Sequence, residues 1–204
     1  NGPAMIAMLE QHGYLSSEHD HIVDEPETLK QRISVHLDNA NVLILSGGVS
    51  MGAFDYVKVV LDRIGAMRWM QIAIKPAKPF AFGLVDGTPI FGLPGNPVSS
   101  MVSYELFARP GLRKMAGQSA LLRPARRAIS ADDLGRHDDG KTHFLRMNGG
   151  PDDTGRWHVR KLGGQGSHQL TGMANATALA VVPDQVDIQV GDEVDIIPLG
   201  TLGL

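Results

Sequence analysis

Three short polar stretches, each placed directly after an apolar run, constrain the fold of this chain more than any other feature. They are a glycine loop at residues 46–52, a paired-lysine loop at residues 75–79 and a proline-flanked turn at residues 93–99. In open α/β sheets, ligands bind outside the carboxyl ends of the strands, where loops of this kind lie. Glycine, hydroxyl and lysine groups at that edge favour a phosphorylated or otherwise anionic small molecule.

The composition excludes several classes of protein. The 204 residues suffice for one large or two small domains, and the net charge of -3 argues against nucleic acid as a partner. The chain has no cysteine, which excludes disulfides, thiolate metal sites and cysteine nucleophiles. Because no apolar run could span a membrane and no signal peptide is visible, we expect a cytoplasmic protein. The chain begins with Asn1 in helix-like sequence, which we interpret as the C-terminal part of a longer protein.

The first half of the chain alternates between helix-like and strand-like segments. Helices are predicted at residues 3–13, behind Pro26, at 57–64 and after the turn at 93–99, with a short strand near 14–15. The apolar run 42–45 is typical of a strand buried on both faces, and residues 70–74 alternate as a strand does. Asp86-Gly87 indicates a hairpin between strands at 80–84 and 90–93. This pattern predicts a doubly wound, three-layer α/β domain over residues 1–120.

The second half changes character. Short β-like runs at 144–147, 157–161, 178–183 and 194–197 are separated by turns rich in Gly, Asp and Asn. Such spacing in a short segment predicts a small C-terminal β-barrel or sandwich. We place the boundary near residues 118–123, so that the second domain covers residues 121–204.

Each polar stretch can also be interpreted as a structural feature that binds no ligand. The glycine loop is neither a P-loop nor a dinucleotide fingerprint, and it could be only a tight turn before a helix. Asp55 behind it is either a helix-terminal carboxylate or a ligand for Mg²⁺. Lys75 and Lys78 are held by two flanking prolines, which favours a stiff loop that directs positive charge at an oxyanion. Asn96 and Ser99 could bind phosphate or merely cap the following helix.

The remaining candidates are weaker. The segment His19-Asp20-His21 with Asp24 has histidines and carboxylates but no standard metal spacing, and a solvated loop is the favoured interpretation. The run at residues 137–139 is interpreted in the same way. By themselves, Arg146 in a strand-like run and Ser167 in a turn would be a surface arginine and a loop serine.

Taken together, these stretches resemble the molybdopterin molybdenumtransferase family, which includes bacterial MoeA and the E domain of gephyrin. The most specific part is the combination of Leu93-Pro94-Gly95-Asn96-Pro97 with the paired-lysine loop. The other matching segments are residues 23–26, 46–56, 109–117, 144–146, 165–167 and 190–194, so the resemblance spans nearly the whole chain.

The resemblance implies an enzyme of molybdenum cofactor biosynthesis. Such an enzyme takes adenylylated molybdopterin and molybdate, inserts molybdenum and releases AMP, with Mg²⁺ as the cation. It also implies a homodimer, two further N-terminal domains, and a molybdopterin-binding α/β domain followed by a β-barrel. The implied phosphate pocket contains Gly47, Gly48, Ser50, Gly52, Asn96 and Ser99. The implied molybdate cradle contains Lys75, Lys78, Ser99, Arg146 and Ser167, with Pro79 as a further substrate-binding residue, and the carboxylates near the cation are Asp24 and Asp55. Of these residues, the resemblance implies that Asp55, Lys75 and Lys78 are catalytic.

Three positions depart from the resembled pattern. The family usually has an acidic residue at Ala53, a lysine at Gln71 and a glycine at Ala77. These departures keep a second interpretation open, a molybdopterin-binding paralogue or scaffold with impaired catalysis. A third interpretation is a molybdopterin adenylyltransferase, against which the second domain and the lysine loop argue.

Overall fold

The computed structural model describes residues 1–14, 17–49 and 56–200. The described chain forms two compact units. The N-terminal unit consists of Asn1–Ile72 and Ala77–Ala108, and the C-terminal unit consists of Ala73–Pro76 and the chain from Arg109 onward. The division at Ala108 and Arg109 lies earlier in the chain than the predicted boundary at 118–123.

The secondary structure alternates in the first unit and is mostly β in the second. The helices are α1 (Gly2–Gln11), α2 (Pro26–Asn39), α3 (Tyr56–Ile64), α4 (Pro97–Ser103), α5 (Arg109–Met115) and α6 (Leu170–Ala174), with a π-helical turn at Tyr104–Ala108 between α4 and α5. The strands are β1 (Leu43–Ser46), β2 (Ala66–Gln71), β3 (Ile74–Lys75), β4 (Pro79–Val85), β5 (Thr88–Leu93), β6 (Arg126–Ser130), β7 (Thr142–Pro151), β8 (Trp157–Lys161), β9 (Ala178–Val182) and β10 (Glu193–Pro198). Among the described residues, no helix is both long and apolar enough to cross a membrane.

Helix α2 begins at Pro26, as predicted from the sequence. Pro26 occupies the first helical turn, where its missing N–H leaves no bond unmade. The Glu25 carboxylate at the N-cap accepts hydrogen bonds from the backbone N–H groups of Glu27 and Thr28, at 3.1 Å and 2.7 Å. The hydrogen bond with the Thr28 side chain, and then the backbone bonds from Thr28 and Glu27, lower the pKa of Glu25. The apolar stripe of the helix then buries Leu29 and Ile33.

The sheet of the N-terminal unit has four strands in the order β1-β5-β4-β2. Strands β1 and β5 run parallel, whereas β5–β4 and β4–β2 are antiparallel. The predicted hairpin is confirmed: Asp86 and Gly87 both have positive φ, 50° and 85°, as a two-residue hairpin turn requires. The α/β class is therefore confirmed, in the form of a mixed sheet with one parallel pair.

Some local predictions were wrong. Strand β1 lies at an edge of the four described strands, and its residues are partly exposed rather than buried on both faces. Residues 70–74 do not form one strand, because β2 ends at Gln71 and β3 begins at Ile74. Tyr14 is not in a strand, and Leu15 lies outside the described residues.

One apolar core fixes helices α2 and α3 against the sheet. The helical periodicity places Leu29 and Ile33 of α2 and Val60 and Leu61 of α3 on the faces that meet Val85 and Ile90 of the hairpin. All six side chains are at most 5% exposed. Because burial of such side chains is the main favourable term in folding, this core holds the sheet edge that carries the candidate loops.

The C-terminal unit contains a closed barrel, as predicted. Strands β7, β8, β6, β10 and β9 pair in that order, and the pairing of β9 with β7 closes the ring. The short strand β3 adds to β7 in parallel, with Lys75 opposite His143. The barrel interior is apolar, and every strand of the ring contributes to it, with β7, β9 and β10 doing so at alternate positions. Its members are Ala128, Leu145, Met147, Val159, Ala178, Ala180, Val182, Val194 and Ile196, with Leu134 and Ile188 from the connections.

Ala77 adopts a backbone conformation that favours glycine. Its φ is 82° and its side chain is buried, 2% exposed. A left-handed conformation costs a residue with a Cβ about 1–2 kcal/mol. The chain keeps alanine here, where the resembled family usually has glycine.

Replacing Ala77 with glycine should therefore have little net effect on stability. Relief of the left-handed conformation offsets the lost methyl burial, about 0.8 kcal/mol, and the extra chain entropy of glycine, about 0.5–1 kcal/mol. The matched control is Ala81→Gly in β4, where alanine is also buried, 0% exposed, but no φ strain is relieved. We expect urea unfolding to give a loss of about 1–2 kcal/mol for Ala81→Gly and less than about 1 kcal/mol for Ala77→Gly. Equal losses in both variants would contradict this account.

Candidate functional site

Two of the predicted loops meet at one edge of the four-stranded sheet, and the end of the third reaches the same edge. Because β1 and β5 are parallel, with Ser46 opposite Leu93, the glycine loop and the turn after Leu93 leave the sheet on the same side. Strand β4 runs antiparallel to β5, with Ala81 opposite Gly92, so that its first residue, Pro79, lies at this edge too. The edge is the place where α/β sheets bind ligands.

The glycines let two loop backbones approach each other closely. Gly47 and Gly48 have φ of 98° and 69°, which side chains with a Cβ rarely adopt. A Cβ built on Gly95 would lie 3.6 Å from the Cα of Gly47, and the N–H of Gly47 donates to the carbonyl of Leu93 at 3.0 Å. The local geometry thus needs glycine at Gly47 and Gly48 for its φ angles, whatever ligand is bound.

Hydrogen bonds hold this arrangement together. The Asn1 side-chain amide donates to the hydroxyl of Ser46 at 2.6 Å and to the carbonyl of Gly95 at 2.7 Å. The Ser46 hydroxyl also lies 3.1 Å from the hydroxyl of Ser100, which is buried in α4. The role of Asn1 and the contact between Ser46 and Ser100 were not predicted, because a contact between residues so far apart in the chain leaves no local pattern.

The other predicted residues of this edge differ in exposure. Asn96 is exposed at the N-cap position of α4 and is followed by Pro97 in the first turn, whereas Ser99 is buried. Lys78 is exposed, and its carbonyl accepts from the N–H of Ile72 at 2.8 Å. Ser50, Gly52 and Asp55 lie outside the described residues, so their part in the pocket stays a prediction.

Asp24 is exposed, just before α2, in a segment anchored by its neighbour Asp20. The Asp20 carboxylate lies 2.9 Å from Nε2 of His36 and accepts two hydrogen bonds from Arg32, at 2.8 Å and 2.6 Å. The bond to His36 and then that to Arg32 lower the pKa of Asp20 to about 2. The histidine and carboxylate cluster near residue 20 is thus an anchor for the segment that carries Asp24. Among the described residues, no group of three His, Asp or Glu side chains could hold a metal ion.

Arg146 is the most unusual side chain of the C-terminal unit. It is 0% exposed, and its Nη2 donates to the carbonyls of Gly164 and Gly166, at 2.8 Å and 3.2 Å. Its Nε and Nη1 are buried without a hydrogen-bond partner among the described residues. An unmet buried donor costs about 1–3 kcal/mol, and more for a charged group. Burial lowers the pKa of Arg146, but an arginine pKa is so high that the guanidinium remains charged at neutral pH.

Gln165 links the loop above Arg146 to strand β7. Its Oε1 accepts from the backbone N–H of Arg146 at 2.9 Å, and its Nε2 donates to the carbonyls of Arg146 and Leu162, at 3.1 Å and 2.8 Å. The pairing of β7 with β8 ends at Lys161, so this amide takes the place of the next strand residue. Ser167 follows directly in the same loop and is partly buried.

Lys75 lies in β3 and points its charge at a carboxylate. Its Nζ is 3.8 Å from Oδ2 of Asp139, and its side chain is 62% exposed. Asp139 also binds His143 and Lys141, each at 3.0 Å. The bonds from His143 and then Lys141 hold the pKa of Asp139 well below its usual range. An exposed pair at this distance contributes little energy, so Lys75 can turn to another anion at small cost.

The ring of His137 stacks on that of His143, with centroids 3.6 Å apart and an interplanar angle of 6°. Burial, and then the charges of His143 and Lys75, lower the pKa of His137. The run at residues 137–139 was interpreted as a solvated loop from the sequence. The structure agrees, because these residues lie in a loop and Asp138 and Asp139 are exposed. It adds that Asp139 joins Lys75 to the buried His143.

Comparisons with known proteins agree with this fold. Residues 1–114 match the family described as probable molybdopterin binding domain, and residues 127–199 match the MoeA C-terminal region, domain IV. A molybdopterin molybdenumtransferase of Haemophilus influenzae is 34% identical over 164 residues, which are 80% of this chain and 41% of that protein. Molybdopterin molybdenumtransferase 1 of Mycobacterium tuberculosis is 34% identical over 184 residues, or 86% of this chain and 42% of that protein.

A crystal structure titled as a molybdopterin biosynthesis MoeA protein from Pyrococcus horikosii has the same fold. It superimposes with a TM-score of 0.75 at 24% identity, over 97% of this chain and 47% of that chain. The fold is thus an α/β unit and a barrel of the MoeA kind. The chain belongs to the family of probable molybdopterin binding domains and continues into a MoeA C-terminal region, which confirms the resemblance seen in its motifs. It spans about two fifths of the length of the curated relatives it matches.

The Asp20 anchor predicts a pH dependence of stability. Its folded pKa is about 2, below the usual value for an unfolded aspartate, about 4. The contribution to stability is therefore complete above about pH 4 and is lost as the pH falls towards about 2. In urea unfolding between pH 5 and pH 2, Asp20→Asn should show a shallower loss of stability than the parent chain. The control is Asp38→Asn, which removes an exposed carboxylate of α2, the helix that carries Arg32 and His36. Identical slopes for Asp20→Asn and the parent would rule out the anchor.

Proposed function

We propose that the protein containing this chain inserts molybdenum from molybdate into adenylylated molybdopterin and releases AMP, as an enzyme of molybdenum cofactor biosynthesis. Membership of the family supports this proposal, as does the meeting of the predicted loops at one sheet edge. In this proposal Gly47, Gly48, Ser50, Gly52, Asn96 and Ser99 hold the pterin phosphate. The proposed ligands of molybdate in the C-terminal unit are Lys75, Arg146 and Ser167, while the parts of Lys78, Pro79 and Ser99 of the N-terminal unit stay predictions.

The observation that carries the molybdate assignment is the buried guanidinium of Arg146. Two of its nitrogen atoms, Nε and Nη1, have no partner among the described residues. Their N–H groups are charged donors that could each bind an oxygen atom of an oxyanion. Lys75 is exposed and only weakly paired, so it adds a mobile positive charge in the same unit. Such groups stabilise a dianion and any further negative charge that develops in the reaction.

We also propose a divalent cation, a homodimer and a cytoplasmic location. A single exposed carboxylate such as Asp24 does not make a cation site, so the described residues alone do not fit one. Mg²⁺ usually binds one or two carboxylates together with substrate phosphates. Asp24 and Asp55 would hold it with the phosphates of the substrate, where its charge would neutralise the leaving group.

The barrel favours this function over that of a molybdopterin adenylyltransferase. An enzyme that adenylylates molybdopterin is expected to need only the α/β unit. Here residues 127–199 match the MoeA C-terminal region as well. The interpretation as an impaired paralogue rests on Ala53, Gln71 and Ala77. Of these, Ala77 occupies its position with a left-handed backbone, so that departure does not change the course of the chain.

The test measures AMP release from adenylylated molybdopterin with molybdate and Mg²⁺, using the full-length protein that contains this chain. Removing a charged hydrogen-bond donor costs about 1.5–3 kcal/mol, so Arg146→Ala should lower turnover at limiting molybdate by about 10- to 100-fold. Arg146→Leu should behave in the same way and keeps more of the buried volume.

The matched control is Arg160→Ala, which removes an exposed arginine of the same barrel. Thermal unfolding of each variant verifies that the fold is kept. Turnover within twofold of the parent in both Arg146 variants would refute the assignment. No AMP release by the unmodified protein would refute the proposed function as a whole.

A further inference from the structure

The guanidinium of Arg146 is sealed in this structure, although two of its donors have no partner. The side chain is 0% exposed, and its Nη2 contacts the carbonyls of Gly164 and Gly166. On another side, a Cβ built on Gly172 of α6 would lie 3.2 Å from Nε. An oxyanion therefore cannot reach the unpaired donors unless a covering segment moves.

The alternation of side chains along β7 shows which segment covers the guanidinium of Arg146. Leu145 and Met147 belong to the apolar interior of the barrel. Successive side chains of a strand point to opposite faces, so Arg146 points away from that interior. What lies over it is the loop at residues 163–169, called the cover loop below, with Gly172 just beyond. Removal of the cover loop would expose the guanidinium without disturbing the core of the barrel.

The side chain of Gln165 ties the cover loop to the backbone of the barrel. Gln165 makes three hydrogen bonds, one with the N–H of Arg146 and two with the carbonyls of Arg146 and Leu162. The loop contains glycine at 163, 164 and 166, and Gly163 and Gly164 are exposed. Apolar burial contributes little to holding the loop in place, because no residue of 163–169 belongs to the apolar core of the barrel. Segments with few buried apolar contacts open at a small fraction of the cost of global unfolding.

We propose that the cover loop is a lid, that Gln165 is its latch, and that opening of the lid exposes Arg146 to an oxyanion. The proposal rests on the proposed function only for the identity of the anion. Gln165 acts through Arg146 and is a positioning residue, because its amide holds the backbone of the residue that binds. In the closed state Nη2 donates hydrogen bonds to the carbonyls of Gly164 and Gly166. In the open state every nitrogen of the guanidinium can donate to an oxyanion.

The experiment measures chemical labelling of Arg146 by phenylglyoxal in this chain, followed by mass spectrometry of the peptide that contains it. We expect Arg146 to label more slowly than the exposed Arg160, at a rate that low urea does not change, since local opening exposes little surface. Gln165→Ala should raise the rate by about tenfold or more, because loss of even one or two buried hydrogen bonds shifts an opening equilibrium by that order. Gln165→Glu loses both donated hydrogen bonds, so its rate of Arg146 labelling should be closer to that of Gln165→Ala than to that of the parent.

The control is Gln189→Ala, which removes a surface amide bonded to Asp187 and should leave the rate unchanged. Equal rates for Gln165→Ala and the parent would overturn the latch. Labelling of Arg146 that rises with urea in step with global unfolding would overturn the lid, and this measurement needs only the parent chain, in case the variant does not fold.

A second arm separates the lid from the proposed function. Millimolar molybdate should slow the labelling of Arg146 in the parent chain and leave that of Arg160 unchanged. If Arg146 labels through local opening and molybdate gives no protection, the lid stands and the assignment of Arg146 to molybdate fails. If protection occurs while Gln165→Ala has no effect, the oxyanion site stands and the latch fails.

Discussion

Strand β7 is the element on which the C-terminal unit depends. It pairs with β8 on one side and β9 on the other, and the second pairing closes the barrel. It also accepts β3, which carries Lys75, in parallel beside His143. Its alternation sends Leu145 and Met147 into the core and leaves Arg146 outside. A shift of one residue in its register would exchange these faces and bury a charge in an apolar barrel, so the register is strongly specified.

Much of the fold could be predicted from the sequence, because its signals are local. The Asp86-Gly87 turn needs two residues that tolerate positive φ, and both have it. The predicted strand at 157–161 coincides with β8. The edge position of β1 could not be predicted, since an apolar run of four residues looks alike in a central and an edge strand. The break between β2 and β3 was missed for a related reason: continuous alternation does not reveal that Lys75 pairs in another sheet.

The residues of the candidate site likewise fall into those that local sequence signals predict and those that depend on distant contacts. Gly47, Gly48 and Asn96 could be placed at one sheet edge from their position after apolar runs, because parallel strands end together. The burial of Arg146 could not be predicted, because the loop that covers it returns from residues 163–169. The pairing of Asp139 with Lys75 and His143 was missed likewise, since an Asp in a polar run looks solvated. In each case the missing information is a contact between distant segments.

Arg146 and Lys75 present positive charge in opposite ways. Lys75 is an exposed point charge on a flexible stem, paired loosely with Asp139, and it costs the fold little. Arg146 is a rigid fork held away from water with unmet donors, an arrangement that an apolar side chain of similar volume would replace at equal or lower free energy. Stability alone therefore gives no reason for arginine at this position. A ligand that accepts from Nε and Nη1 supplies one, and it would recover on binding the free energy that the empty closed state loses.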